Sequence, residues 1–500
     1  MRLSCFVTTF GMLMWQGIVP AQDADPRAEV LRKRRQTYPD LFKVVDLAQS
    51  VPSEFAADAL LRTAIAPRNR DREWKIELLE QSFETGAQAP ELNRQRIQGS
   101  RIVAKSRAEI RSLGFDQRLD RLSLQCRVVR EMMSLDKQKA LQMFQRIAWP
   151  RLRKLECRDA LIDHVDEYYN LLGEIVDSGF TAEQRGRGRH VDMLSHQMSR
   201  MTSSVEVGPM SKVISSSTLA DDELALLASR LATVLLDQIQ TDDRSFSVSL
   251  GGADQELQRL VSIMGTRGVS TGGIISAYRR YLVRNLTGSR CADSGGNERE
   301  ALDSFNRNLA SATDSNRAPL TPDDLKPAQT QGQADWEVFV DEMEFDRAWQ
   351  DYLDLLLGKG HGSLLSKDTK PLSDDQKSTI QWRTQFDDFL RQIDDLKPKA
   401  GEPEYLLFCR KATALDGALR VARAGPDREK VIRQYVALLK SSNLQQESPL
   451  EWYAQVQRSA NSVRGLGPEA RAVFLDELER SGAAVLSLYA VSARVIPEAR

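Results

Sequence analysis

Few side chains in this sequence are of the kind that do chemistry, and their spacing decides what each can do. Four histidines serve 500 residues. His190 and His196 lie six apart, whereas the two ligands of a helical zinc-protease motif must sit four apart on one face, so no metal is expected there. His164 stands in Asp163-His164-Val165-Asp166-Glu167. Carboxylates can orient an imidazole for proton transfer, and Asp166 or Glu167 would then act as acid or base in a helical cleft. The plainer expectation is an interhelical or surface histidine beside solvated acids. His361, between Gly360 and Gly362, is expected at a loop tip.

No nucleophile elbow, Walker phosphate loop or dinucleotide fingerprint occurs. Gly265, Gly268, Gly272 and Gly273 come nearest, but no strand pattern precedes them, and a turn between helices is expected. Asp293 to Glu298 offers oxygen ligands without the spacing of a calcium loop. The expectation is therefore no catalytic residue, no cofactor and no metal.

Sixty-nine Lys and Arg against 70 Asp and Glu leave a formal charge of −1, so no whole-molecule field draws the chain to nucleic acid. The basic runs Arg32-Lys33-Arg34-Arg35 and Arg185-Gly186-Arg187-Gly188-Arg189 have no interleaved aromatics to stack bases and read as solvated surface. The acidic stretch Asp335 to Asp354 contains a single base, Arg347, beside the apolar residues Trp336, Phe339 and Trp349. Trp336, Asp341, Glu342 and Glu344 are the expected surface for a basic partner, the default being an acidic helix exterior over an ordinary core.

The N-terminus has the pattern of a secretory signal: Arg2, a short apolar stretch from Leu3 to Met14, then Val19-Pro20-Ala21 before polar Gln22-Asp23. Cleavage after Ala21 is expected, giving an exported chain, periplasmic or extracellular, with no transmembrane span after processing. Cys5 would leave with the signal. Cys126, Cys157, Cys291 and Cys409 would remain in a compartment where disulfides persist, and their spacing suits no zinc site. Four cysteines allow three pairings. Cys126 with Cys157 is favoured, because both fall on apolar helical stripes separated by one short helix, which leaves Cys291 and Cys409 as a second pair.

The elements that must position these residues read as helices almost throughout. Hydrophobic residues make up 41% and charged residues 28%, an ordinary globular balance. Ala56, Ala59, Leu60, Thr63 and Ala64 share one face, Ile76, Leu79 and Phe83 another, and the Pro67 to Arg70 turn between them makes a helical hairpin. Leu119, Leu122, Cys126, Val129 and Met133 form the next stripe. Asp136 caps a short helix that ends before Trp149-Pro150, and a third helix is expected to carry Cys157, Leu161, Val165, Tyr168, Leu172 and Ile175. Stripes continue through Leu224 to Leu235, Leu257 to Met264, Ile274 to Leu282, Phe339 to Leu356, Trp382 to Ile393, Phe408 to Leu419, Ala470 to Leu478, and Leu486 with Tyr489. Gly425-Pro426-Asp427, with Gly as left-handed cap and Asp capping the following helix, and Ser448-Pro449-Leu450-Glu451, as a capping box, punctuate the last third.

Residues 288–334, rich in Ser, Gly, Asn, Asp and Pro, interrupt the pattern, with only a weak helix near Arg299 to Leu309. The expected organisation is a signal over 1–21, an N-terminal helical array over 22–287, a polar linker over 288–334 and a C-terminal array over 335–500. The fold class is all-α, antiparallel helix pairs in an α-solenoid-like array in two parts.

Ala59-Leu60-Leu61 leading to Trp74 and Glu77 to Phe83, then Leu122-Ser123-Leu124, Tyr278 to Val283, Arg290 to Asp293 and Gln445 to Pro449, resemble a group of exported helical proteins of soil-dwelling bacteria. The resemblance spans most of the chain after the leader and implies compartment and fold, with loosely tetratricopeptide-like helix pairs. It implies no activity, cofactor or site residue.

Two functions remain open at this level: a binding or scaffold module for a protein or cell-envelope component, and an envelope hydrolase or lyase using paired carboxylates. Both presuppose export. Intact-mass analysis of protein from the native host should find a chain beginning at Gln22, and a product retaining Met1 to Ala21 would remove the compartment argument.

Overall fold

The computed structural model describes residues 26–89, 94–96, 107–156, 159, 161–239, 244–286, 295–309, 319–321, 380–398 and 404–496. Helices dominate these residues, as the 3.6-residue rhythm of the apolar positions requires. Helices α1 (Pro26–Thr37) and α2 (Pro39–Ala48) lead into the expected hairpin of α3 (Ser53–Ile65) and α4 (Arg72–Gly86). Ala57, Leu60, Leu61 and Ala64 of α3 and Leu78, Leu79 and Phe83 of α4 are buried. Asp71 starts α4 by accepting the Trp74 N–H at 2.9 Å.

Next come α5 (Arg107–Phe115), α6 (Arg121–Leu135) and α7 (Lys137–Arg146). Asp120 caps α6 by accepting the Ser123 N–H at 3.0 Å. Asp136 caps α7 as expected, accepting from Lys139 at 2.9 Å. The third helix is shorter than the stripe suggested: α8 runs from Asp166 to Ser178. Leu161–Asp163 instead forms strand β2, antiparallel to β1 (Arg94–Arg96) with Arg94 opposite Asp163. All three residues of β2 are buried, so the apolar pair Leu161-Ile162 faces protein on both sides and fits no single helical stripe.

Helices α9 (Ala182–Gly186), α10 (Arg189–Met198), α11 (Val207–Ser216), α12 (Asp221–Asp237), α13 (Ser245–Thr266) and α14 (Gly272–Leu286) follow, with a 3₁₀ turn at Ser204–Glu206. The Gly265 to Gly273 region is the turn between α13 and α14. Within the stretch expected as a polar linker, α15 (Gly295–Asn308) is a core element, with Leu302, Phe305 and Leu309 buried.

The last third contains α16 (Ile380–Asp395), α17 (Glu404–Val421), α18 (Pro426–Ser441), α19 (Leu444–Glu447), α20 (Pro449–Arg464), α21 (Pro468–Arg480) and α22 (Ala484–Val495). Its punctuation is where the sequence placed it, but two caps are built differently. Asp427 does not cap α18 and instead accepts from Arg423 at 2.7 Å. No capping bond forms at Ser448, because Glu451 reaches outward to Arg111 of α5 at 3.2 Å.

Packing follows chain order in the first part and departs from it at the ends. α3 packs on α4, α4 on α6, α6 on α8, α8 on α11, α11 on α13 and α13 on α15. Among the described helices, those of the C-terminal third pack back onto the start of the array. α22 packs on α2 and α3, and α20 packs on α5. Phe55 of α3 meets Tyr453 of α20 with ring centroids 4.8 Å apart, and Lys43 of α2 pairs with Glu479 of α21 at 2.6 Å. The helices expected as two arrays thus share one apolar cluster running from Leu41 to Ile496.

The α5–α20 joint depends on a missing side chain. A Cβ on Gly114 would lie 3.0 Å from the Glu451 backbone nitrogen and 3.1 Å from the Leu450 carbonyl carbon. Backbone cannot swing aside as a side-chain tip can, so Gly114→Ala should lower stability by about 1–3 kcal/mol, read as a lower urea midpoint. The control is Gly251→Ala in α13, where a Cβ meets nothing within 4 Å and the helix should gain about 0.5–1 kcal/mol.

Candidate functional site

The ionisable residues singled out in the sequence converge where β2 feeds the start of α8. Glu167 is clamped, its Oε1 2.6 Å from Arg118 Nη1 and its Oε2 3.3 Å from Arg130 Nη1. Arg130 also donates through Nε to both oxygens of Glu174, at 2.9 and 3.0 Å. Arg118 reaches Glu167 from a left-handed backbone turn, φ 54°, the one positive φ at a non-glycine among the described residues. Asp163 accepts from Arg94 across the strand pair at 3.3 Å and from the Arg153 N–H at 3.1 Å. A carboxylate with each oxygen engaged by an arginine holds elements together through charge-assisted contacts.

His164 and Asp166 are the pair left over. Asp166 Oδ2 lies 3.2 Å from His164 Nε2, and this hydrogen bond holds the Asp166 carboxyl below the ordinary value against the opposing effect of burial. The Asp166 side chain remains half exposed. Desolvation raises the Asp116 carboxyl although the residue is exposed overall, with Arg118 and His164 pulling the other way. The geometry thus provides a mostly buried imidazole, 15% exposed, paired with half-exposed Asp166, with Glu167 withdrawn into an ion pair. Among the described residues no group of three or more His, Cys, Asp and Glu is placed to hold a metal.

A second polar assembly, not anticipated from the sequence, lies in the middle of the array. The Tyr169 hydroxyl donates to fully buried Glu206 at 2.9 Å, and Glu206 also accepts the N–H groups of Thr202 and Ser203 at 2.9 and 3.0 Å. The Tyr281 hydroxyl meets Ser204 Oγ at 2.8 Å. Tyr278, stacked on Tyr281 with centroids 6.2 Å apart, donates to Asp254 at 3.1 Å. Burial raises both carboxyls, Glu206 and Asp254, and pushes the Tyr169 and Tyr278 hydroxyls well up. These tyrosines are neutral donors. In the sequence they are indistinguishable from core aromatics at helical spacing, and only their partners, 24 to 77 residues away, reveal the assembly.

Of the basic runs, the first is only partly solvated. Arg34 is buried and fastens α1 to α4, with Nε 2.8 Å from Asp71 and Nη1 2.6 Å from Glu77, while Arg32, Lys33 and Arg35 stay exposed. In the second run Arg185 donates to the carbonyls of Val176 and Thr218, and Arg187 pairs with Glu183. His190 is buried beside Glu223, Nε2 to Oε1 3.2 Å, while His196 sits in the last turn of α10, and no metal arrangement joins them. The partner surface expected at Trp336, Asp341, Glu342 and Glu344 lies outside the described residues, as does His361.

Two small concave features lie among the described residues. A groove of about 180 Å³ runs between the starts of α18 and α21, lined by Gly425, Arg428, Ile432, Gly467, Glu469 and Val473. A slot of about 30 Å³ at the α5–α17–α20 joint includes Leu113, Phe408, Cys409 and Arg458. Both fall short of the roughly 300–1,000 Å³ typical of small-molecule sites. Among the described residues no helix is long and apolar enough to cross a membrane. Comparison of the chain with family models, curated proteins and solved structures finds no match.

Cys126 is a free thiol, fully buried in α6, where desolvation first and the nearby Glu167 and Asp120 next push its ionisation well up. The partner expected for it, Cys157, lies outside the described residues together with Cys291. Within α6 the Cys126 side chain occupies a buried position of the apolar stripe as a small hydrophobe. A maleimide should leave Cys126 unlabelled in the native protein and label it fully in denaturant without reductant. Recovery of Cys126 in a non-reducing peptide linked to Cys157 would restore the bridge.

Proposed function

We propose that the protein is an exported binding or scaffold module that presents a rigid helical array to a protein or cell-envelope component. The observation that supports this most directly is how its ionisable groups are spent. Of the two carboxylates expected to do acid–base work, Glu167 is fixed by Arg118 and Arg130 while Asp166 stays half exposed, and with neighbouring Asp163 held by Arg94 these ion pairs join β1, β2, α6 and α8 into a frame. A stacked array built this way exposes extended faces of neighbouring helices, which suits macromolecular contact. Export rests on the leader pattern of residues 1–21 and on the resemblance to exported helical proteins.

The competing reading is an envelope hydrolase or lyase, and the His164–Asp166 pair is the feature that favours it. Purified mature chain should co-sediment saturably with isolated native envelope, and the double variant His164→Ala, Asp166→Asn should bind as the wild type does. Release of soluble reducing ends or free amines by the wild type, lost in that variant, would overturn the scaffold reading and establish the enzyme.

A further inference from the structure

Asp254, like Glu206, differs from the arginine-bound carboxylates of the first helices. It is 6% exposed, yet all of its partners are neutral. Gln258 of its own helix donates to Oδ2 at 2.6 Å, Tyr278 of α14 donates to Oδ1 at 3.1 Å, and the Ser304 hydroxyl of α15 donates to Oδ2. Asn308 of α15 then donates to Gln258 Oε1 at 3.0 Å, so the polar contacts between α13 and α15 centre on this carboxylate. Around them Leu302 and Phe305 of α15 are buried, with Phe305 6.0 Å from the Tyr278 ring.

The charged groups on the surrounding elements are occupied elsewhere. Glu256 and Arg259 of α13 face each other at 4.0 Å. Arg284 of α14 donates to the carbonyls of Leu235, Leu236 and Ile239, while Arg279 is half-buried and Arg280 exposed, and neither bonds Asp254. Glu300, Asp303 and Arg307 of α15 are exposed. Lys212 of α11 donates to Asn170, and Glu206 of the 3₁₀ turn is engaged by Tyr169.

We infer that the α13–α15 joint is an acid-tightened latch: proton uptake by Asp254 secures α15 on the array, and proton loss loosens it. An ionised carboxylate buried here keeps a desolvation cost that the hydrogen bonds from Ser304, Tyr278 and Gln258 offset only in part, and undocking α15 admits water, which relieves it. The neutral acid carries no such cost and keeps hydrogen-bonding capacity toward Ser304. Burial raises the Asp254 carboxyl above its ordinary value. The cost is therefore present above the folded-state pKa and fades as pH falls through it toward the ordinary aspartate range. Acid strengthens the joint, the reverse of what a carboxylate paired with arginine would do.

The test is hydrogen–deuterium exchange of the full chain between pH 7.5 and 4.5, expressed as protection factors so that the intrinsic pH dependence of exchange cancels. Peptides from α15 should gain protection toward acid, up to about tenfold for each unit by which the carboxyl is raised, relative to peptides from α20. Asp254→Asn, which mimics the neutral acid, should hold α15 highly protected at every pH, and Glu206→Gln should keep the wild-type slope. Flat or falling α15 protection toward acid in the wild type would overturn the latch, and so would an equal rise in α20. Should Asp254→Asn fail to fold, Gln258→Ala retains the carboxylate and must keep the slope, and its loss there would also overturn the proposal.

Discussion

Everything in this protein depends on one constraint: helices that are apolar along only one stripe must find cover, and the cover for the start of the chain comes from its end. α2, α3 and α5 would each leave an apolar flank open if the array simply began there. α20 and α22 close that flank, through Phe55 against Tyr453 and through the bare backbone contact at Gly114. In a repeat array the terminal units usually solve this problem with a polar outer face. Here the chain returns over more than 400 residues to cap itself, and Lys43 with Glu479 is the ion pair at that closure. The long loop so closed makes this the joint formed at the greatest entropic cost, which is why it needs close backbone packing as well as surface charge.

Charge is used in two ways that divide the array. In the first part, guanidinium groups bridge helices: Arg34 joins α1 to α4, Arg127 reaches Asp58 of α3 at 2.8 Å, and Arg130 with Arg118 holds Glu167. A guanidinium meets two acceptors in one plane and stays charged, so these joints are fixed in geometry and indifferent to pH above the carboxylate range. Around α13 and α14 the carboxylates meet tyrosine, serine and amide groups instead. Such joints form fewer constraints and leave a buried acid whose charge state is not locked.

Periodicity made most of the helices legible before any coordinates, because a stripe such as Leu224, Leu227, Leu231, Val234 and Leu235 has one physical solution. It failed at Leu161-Ile162, where a short doubly buried run matches strand and helix equally, and the pairing strand Arg94–Arg96 is too polar to announce itself. Capping was legible where the side chain had nothing better to do, as at Asp136. It was misread at Ser448 and Asp427, since Glu451 and Asp427 each find an arginine whose nearness depends on packing. The candidate site was legible only as a cluster: Asp163 to Glu167 was visible, but that Glu167 is clamped while Asp166 is open depends on Arg130 and Arg118, 37 and 49 residues before Glu167. No local pattern encodes that. The Asp254 joint was harder still, because aspartate beside an apolar stripe reads as a solvated flank until Ser304, 50 residues on, is seen to cover it.

The two modes of charge also bear on the paired-carboxylate reading that the sequence left open. Paired carboxylates perform acid–base work when their environments differ, one kept neutral by burial and the other ionised, and both face the same cavity. This protein contains both environments. The arginine-bound acids lie at β2 and α8, whereas Glu206, Asp254 and Asp416, raised by burial, sit on the 3₁₀ turn, α13 and α17 under tyrosine hydroxyls. Glu206 and Asp254 are enclosed by the elements they join, so the burial that shifts their ionisation also withdraws them from solvent. Asp116, raised by desolvation as well, stays exposed, and with Asp166 and the broad helix faces it forms the surface on which both proposed readings draw.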